Sequence, residues 1–73
     1  MNMMKTYNTV FINGEPFNCP SLMSLNDILI YLNFKKENIV VEYNKKVVNQ
    51  NAFDNLVLQN LDKIEVITIV GGG

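Results

Sequence analysis

The readable pattern begins at Tyr7-Asn8-Thr9-Val10-Phe11-Ile12, a run of β-branched and aromatic residues that predicts a strand. Asn13-Gly14 follows, and because a type I′ turn needs two residues that tolerate positive φ, the pair predicts a hairpin. The return strand is Glu15 to Cys19. Pro16 lies inside it and has no N–H for a ladder, which places that strand at a sheet edge. Pro20-Ser21 breaks the pattern. Ser24 then has the chemistry of a helix N-cap, and Asp27 three residues on completes a capping box near the positive end of the helix dipole. Leu25, Ile28, Leu29 and Leu32 fall at i, i+3, i+4 and i+7, one apolar stripe, and Asn33 suits the left-handed conformation that often ends a helix. Past the polar link Lys35-Lys36-Glu37-Asn38, Ile39 to Tyr43 reads as a strand, Asn44-Lys45-Lys46 as a turn and Val47-Val48 as a short strand. Asn49 to Asn60 has the weakest pattern: a short helical turn around Ala52-Phe53, then extended Leu56-Val57-Leu58. The last strand is Lys63 to Val70, followed by Gly71-Gly72-Gly73.

Strands on one side and a segregated helix describe an α+β fold. A mixed sheet of four to five strands accommodates this order if the first and last strands pair in parallel at its centre. Pro16 then falls on an outer strand, and one main helix covers one face. This is the β-grasp architecture, expected as a single domain over 1–73, with a loose N-terminus over 1–5 (Met1, Met3 and Met4 included) and a flexible tail over 71–73. Alternation along the last strand sets Ile64, Val66 and Thr68 on one face and Lys63, Glu65, Ile67 and Ile69 on the other. With the helix over the first face, Phe11, Ile67 and Ile69 form an apolar cluster on the open face beside the tail, suited to docking a partner. In Asn60-Leu61-Asp62, leucine is a poor residue for positive φ, so the turn there is expected to avoid that conformation.

Composition narrows the function mainly by exclusion. A 73-residue chain buries only about 60% of its unfolded surface. With one cysteine and no histidine it has neither an internal disulfide nor a transition-metal site to help. Stability must come from packing of a chain that is 48% hydrophobic. The lone Cys19 reads as a small hydrophobe in a strand, and a free thiol fits a reducing compartment, cytoplasm or organelle stroma. Six lysines against seven carboxylates give a net charge of −1 with no arginine, which argues against nucleic acid as partner. Lys45-Lys46 solvate a turn. No apolar run approaches the ~20 residues of a membrane span, and the N-terminus lacks a signal-peptide core. The carboxylates are scattered, with no histidine base or nucleophile beside them, so an intrinsic enzyme with its own cofactor is not expected.

The tail carries the chemistry that remains. Glycine has no side chain to bury and loses the most entropy on ordering, so three of them after an apolar strand are poor structural material. They are thin, however. A partner can draw such a tail into a narrow channel and bring the Gly73 carboxylate to ATP without a Cβ in the way. As an acyl-adenylate that carboxylate becomes an electrophile, and attack by a persulfide or thiol leaves a thiocarboxylate. A terminal diglycine gains meaning only from its setting, here directly after the last strand of a β-grasp pattern.

In that setting the sequence resembles the ThiS sulfur carriers of thiamine biosynthesis, over about Val10 to Gly73. Ile12-Asn13-Gly14 is similar to the family's first-hairpin turn, Ser24-x-x-Asp27-Ile28-Leu29-x-x-Leu32 to its helix, and Val40-Val41-Glu42-Tyr43-Asn44 to its third strand. Lys63-Ile64-Glu65-Val66 with Ile69-Val70-Gly71-Gly72-Gly73 resembles its terminal strand and tail and is the most specific block. Asn60-Leu61-Asp62 departs from the family's acidic-Gly-Asp turn. The resemblance implies that Gly73 is adenylated with ATP by a ThiF-like enzyme and takes sulfur from a cysteine desulfurase or another donor. Thiazole synthase would receive the sulfur, and Gly72 and Gly71 would thread the tail. A sulfur carrier for molybdopterin or another pathway, a ubiquitin-like modifier and a plain β-grasp interaction module share these features and stay open at this stage.

Overall fold

The computed structural model describes residues 6–69. β1 (Tyr7–Ile12) and β2 (Glu15–Pro20) form an antiparallel hairpin in which Ile12 faces Glu15 across the turn. Asn13 and Gly14 both take positive φ, 52° and 85°, as the two-residue turn requires. β2 runs one residue past the expected end at Cys19, because Pro20 still lies opposite Tyr7. The sheet order is β2-β1-β5-β3-β4, with β3 over Ile39–Tyr43, β4 over Lys46–Val48 and β5 over Lys63–Thr68. Pro16 is therefore on an outer strand, where its missing N–H leaves no ladder incomplete. β5 is central, parallel to β1 and antiparallel to β3.

The one α-helix among the described residues, α1 (Leu25–Tyr31), has seven residues, too few to be stable alone, so its ends and its packing must hold it. At its start Ser24 Oγ accepts from the Asp27 N–H at 3.0 Å while Asp27 Oδ2 accepts from the Ser24 N–H at 3.1 Å, the expected capping box. At its end Asn33 takes φ 67°, with Phe34 N–H donating to Leu29 O at 2.9 Å and Asn33 N–H to Ile30 O at 3.0 Å. These two bonds are a Schellman closure. Leu25, Ile28 and Leu29 are buried, and Leu32 packs on the same cluster. They meet Val10, Ile12, Val41, Ile64 and Val66 of the sheet, with Phe53 and Leu58 from the β4–β5 connection closing the side. Each such side chain contributes on the order of 2 kcal/mol by leaving water. The connection forms a 3₁₀ turn over Gln50–Asn55, then pairs Val57 with Ser24 through a single bridge.

Three expectations fail. β5 ends at Thr68, with Ile69 beyond the strand, short of the expected end at Val70. Lys46 belongs to β4, opposite Tyr43, and not to the turn. Asn44 and Lys45 alone reverse the chain, both with positive φ (49° and 74°). Leu61 does adopt positive φ, 70°. The left-handed conformation costs a side-chain-bearing residue about 1–2 kcal/mol, and a local web of hydrogen bonds outweighs it. Leu61 N–H donates to Thr9 O at 2.6 Å, Asp62 N–H to Gln59 O at 3.2 Å, Gln59 N–H to Asp62 Oδ2 at 2.7 Å and Thr9 N–H to Asn60 Oδ1 at 2.8 Å. The buried Asp62 carboxylate also accepts from the Tyr43 hydroxyl and from Asn44 Nδ2, tying β3 to the start of β5.

Since Leu61 is exposed and strained, Leu61→Gly should raise stability by roughly 0.5–1 kcal/mol, strain relieved less the entropy glycine adds to the unfolded chain. A lower urea midpoint at unchanged m would show that Leu61 is not strained. Burial, followed by the bond to Asp62, pushes the Tyr43 phenol from 10.0 up to about 12. The folded state then holds that proton more tightly than the unfolded state, so stability should fall as pH rises from about 10 to about 12. Tyr43→Phe should flatten this slope in urea unfolding measured across that window.

Candidate functional site

β5 gains its central position from what its two faces and two sides can bury. Ile64 and Val66 enter the core under α1, while Lys63, Glu65 and Ile67 point to the opposite face, which no helix covers among the described residues. On that open face Val40 of β3 lies opposite Ile67, and Phe11 of β1 sits between Pro16 and Lys63 in register. Ile67 and Ile69 are each 49% exposed, so half of each side chain remains available for contact. Phe11 is half-buried, shielded by its neighbours in register more than alternation alone suggested. The three residues expected to cluster share one face, but Phe11 lies opposite Lys63 at the start of β5, whereas Ile67 and Ile69 lie near its end. Val47 of β4 is exposed on the same face, opposite Glu42.

The end of β5 is fixed from both sides. Toward β3, Thr68 lies opposite Ile39, and Ile69 N–H donates to Asn38 O at 2.7 Å. Toward β1 the ladder is short, only Phe11 with Lys63 and Ile12 with Ile64. Asn13 extends it: its N–H donates to Ile64 O at 2.8 Å, its Oδ1 accepts from Val66 N–H at 2.7 Å, and its Nδ2 donates to Val66 O at 3.3 Å. Asn44, in the other hairpin turn, does the same at the start of β5. Its N–H donates to Lys63 O at 2.7 Å and its Oδ1 accepts from Lys63 N–H at 2.8 Å. Sequence reasoning read both asparagines as turn formers only. The signal lay in their identity: glycine would have served φ alone, whereas asparagine adds a donor and an acceptor.

Gly71, Gly72 and Gly73, the expected reactive tail, lie outside the described residues, as do Val70 and residues 1–5. Among the described residues no group of three or more His, Cys, Asp or Glu could hold a metal ion. Cys19 is free and buried in β2, and burial, with a smaller contribution from the Asp62 charge, pushes its thiol up from the ordinary value. A protonated, enclosed thiol is a poor nucleophile, so Cys19 is not suited to relay sulfur. No described helix is long and apolar enough to cross a membrane.

The ThiS family model matches residues 10–73, most of the chain. The protein named ycf40 of Porphyra purpurea is 45% identical over 65 residues, covering 89% of this chain and 92% of that one. A thiazole synthase of Magnetococcus marinus is 41% identical over 64 residues, which are 88% of this chain but only 20% of that relative. Among solved structures, the thiamine biosynthesis protein ThiS from Geobacter metallireducens superposes with a TM-score of 0.75 at 26% identity, covering 89% of this chain and 99% of that one.

The two faces of β5 predict opposite responses to the same change. Ile67→Asp should cost about 1 kcal/mol, the scale of a strand-propensity change. Ile64→Asp, at a fully buried position, should cost on the order of 4 kcal/mol or more, because its charge has no partner in the core. Urea unfolding of both variants checks this, and similar losses would mean that the second face is not open.

Proposed function

The chain belongs to the ThiS family, and we propose that it works as a sulfur carrier whose Gly73 carboxylate is adenylated and converted to a thiocarboxylate for the thiazole ring of thiamine. The observation that carries this reading is the family match, which runs through the last residue of the glycine tail. In the first step the carboxylate oxygen attacks the α-phosphorus of ATP, forming the acyl-adenylate and releasing pyrophosphate. A persulfide from a cysteine desulfurase, or another sulfur donor, then attacks the acyl carbon and expels AMP, which leaves an acyl disulfide. A second thiol attacks the donor's sulfur, forming a new disulfide with it as the acyl S–S bond breaks, and the thiocarboxylate is released. Transfer of that sulfur to the thiazole precursor returns the carboxylate. The chain itself supplies no acid, base or cofactor in this scheme. It is the co-substrate of a ThiF-like adenylating enzyme and of thiazole synthase. The similarity to a segment of a thiazole synthase supports that acceptor over a molybdopterin pathway.

Phe11, Ile67 and Ile69 are proposed as the surface that meets the adenylating enzyme, with Gly71 and Gly72 threading its channel. Docking an apolar cluster next to the tail makes the second contact intramolecular, which raises the effective concentration of Gly73 at the ATP site. Of the two compartments the free thiol allows, the plastid stroma is compatible with the ycf40 relative.

The test is intact mass after incubation with a ThiF-like enzyme, ATP, cysteine and a desulfurase. One sulfur in place of one oxygen is expected in the full chain and not in a chain lacking Gly72 and Gly73. Ile67→Asp should lower the initial rate of that conversion about tenfold, the factor equal to about 1.4 kcal/mol of lost contact. No mass change with an active partner set would sink the carrier reading. Conjugates on lysines would instead identify a ubiquitin-like modifier.

A further inference from the structure

Asn13 stands where β1 parts from β5. β1 offers β5 only two Cα pairs before it turns back through Asn13-Gly14. The Asn13 amide then accepts the Val66 N–H at 2.7 Å and donates to the Val66 carbonyl at 3.3 Å, supplying the two bonds that a continued β1 would have made. Past this point the β1 side of β5 has no partner among the described residues. Thr68 is held from the β3 side alone, opposite Ile39. A strand end held by one ladder opens more readily than one held by two. The Asn13 amide is thus the last bond on that side before Ile67, Ile69 and the tail.

We propose that Asn13 is a positioning residue for the transfer chemistry: its side-chain amide fixes the last part of β5, so that Ile67 and Ile69 meet a partner in one arrangement. This rests on the reading of Gly73 as the reactive end. The adenylating enzyme must hold the apolar cluster and the tail together, and any freedom in the strand between them has to be lost on binding. The cost therefore falls on association and not on the chemical step, where the partner's own groups act. Asparagine suits both tasks. It tolerates the positive φ of the turn, as aspartate and glycine also do, but only asparagine both accepts from Val66 N–H and donates to Val66 O. A carboxylate there would keep the first bond and set its charge against the carbonyl.

Asn13→Gly and Asn13→Asp both keep a residue that fits the turn, and each is compared with the wild-type chain in ATP–pyrophosphate exchange with a ThiF-like enzyme. For Asn13→Gly, KM for the carrier should rise about tenfold, the scale of two neutral hydrogen bonds removed. Its kcat at saturation should stay within about twofold, well inside the factor that two such bonds represent. Asn13→Asp should show a smaller rise in KM. Hydrogen exchange at Val66 should quicken in Asn13→Gly and much less in Asn13→Asp, which keeps the acceptor for that N–H, with unchanged far-ultraviolet circular dichroism in both. Wild-type KM in both variants, or a loss of kcat at unchanged KM, overturns the assignment. If Asn13→Gly fails to fold, Asn13→Asp decides by the same criterion. A wild-type chain that is never adenylated overturns the carrier reading and this inference with it; normal wild-type turnover matched by both variants overturns this inference alone.

Discussion

The structure depends on one strand, β5, being satisfied on both sides from Lys63 to Val66. β5 lies in the middle of the sheet, and a central strand must find partners for its backbone groups left and right or leave them orphaned in the core. Its antiparallel neighbour β3 matches it over five residue pairs. Its parallel neighbour β1 matches it over two, because β1 must turn back at Asn13-Gly14 to form the outer hairpin. Side chains close that deficit: Asn13 takes both backbone groups of Val66, and Asn44 takes the N–H of Lys63. Two hairpin turns at opposite ends of the sheet thereby reach inward to the same strand. The hydrophobic contacts of Ile64 and Val66 under α1 follow from this placement, since a strand with open backbone bonds could not bring them to the core.

Asp62 plays the matching part at the entrance to β5. A buried carboxylate is costly unless its lone pairs are used, and here they accept from the Tyr43 hydroxyl, Asn44 Nδ2 and the Gln59 N–H. The same bonds explain the strained Leu61 beside it. Asp62 fixes the turn from below and Thr9 O from the side, and the residue between them takes the φ that remains. Local strain persists where the surrounding bonds over-determine the backbone. Leu61 is such a place.

Much of this was legible in the sequence where one residue type has one physical meaning. Asn13-Gly14 announced its turn, Pro16 its edge, and Ser24 with Asp27 its capping box. Alternation along Lys63 to Ile67 indicated the buried and open faces, and with them the face that Phe11, Ile67 and Ile69 share. What was not legible was long-range and polar. Nothing local says that the Asn13 amide will meet Val66, more than fifty positions away, or that Asp62 will gather donors from β3 and its turn. Leu61 was misread for the same reason. Local preference disfavours its φ, and the bonds that enforce it come from β1 and from Asp62. Val47 joins the open face through register with Glu42, which the short Val47-Val48 run could not reveal.

The division of labour between the two faces fits a protein that others act upon. Every strong apolar contact among the described residues lies on the α1 side, so the fold is secured without the open face. That leaves the side chains of Ile67, in β5, and Ile69, just past it, half exposed on the open face. An enzyme needs its reactive groups held within a rigid pocket, and such groups perturb the core around them. A carrier needs the reverse: a core with no reactive group, and a reactive end whose chemistry is completed in someone else's pocket. Cys19, buried with its thiol pushed up, and Asp62, its buried carboxylate taken up by three hydrogen bonds, both meet the first condition. The bonds that make β5 the central strand also hold Ile67 at its open face, so the core and that face are set by the same ladder.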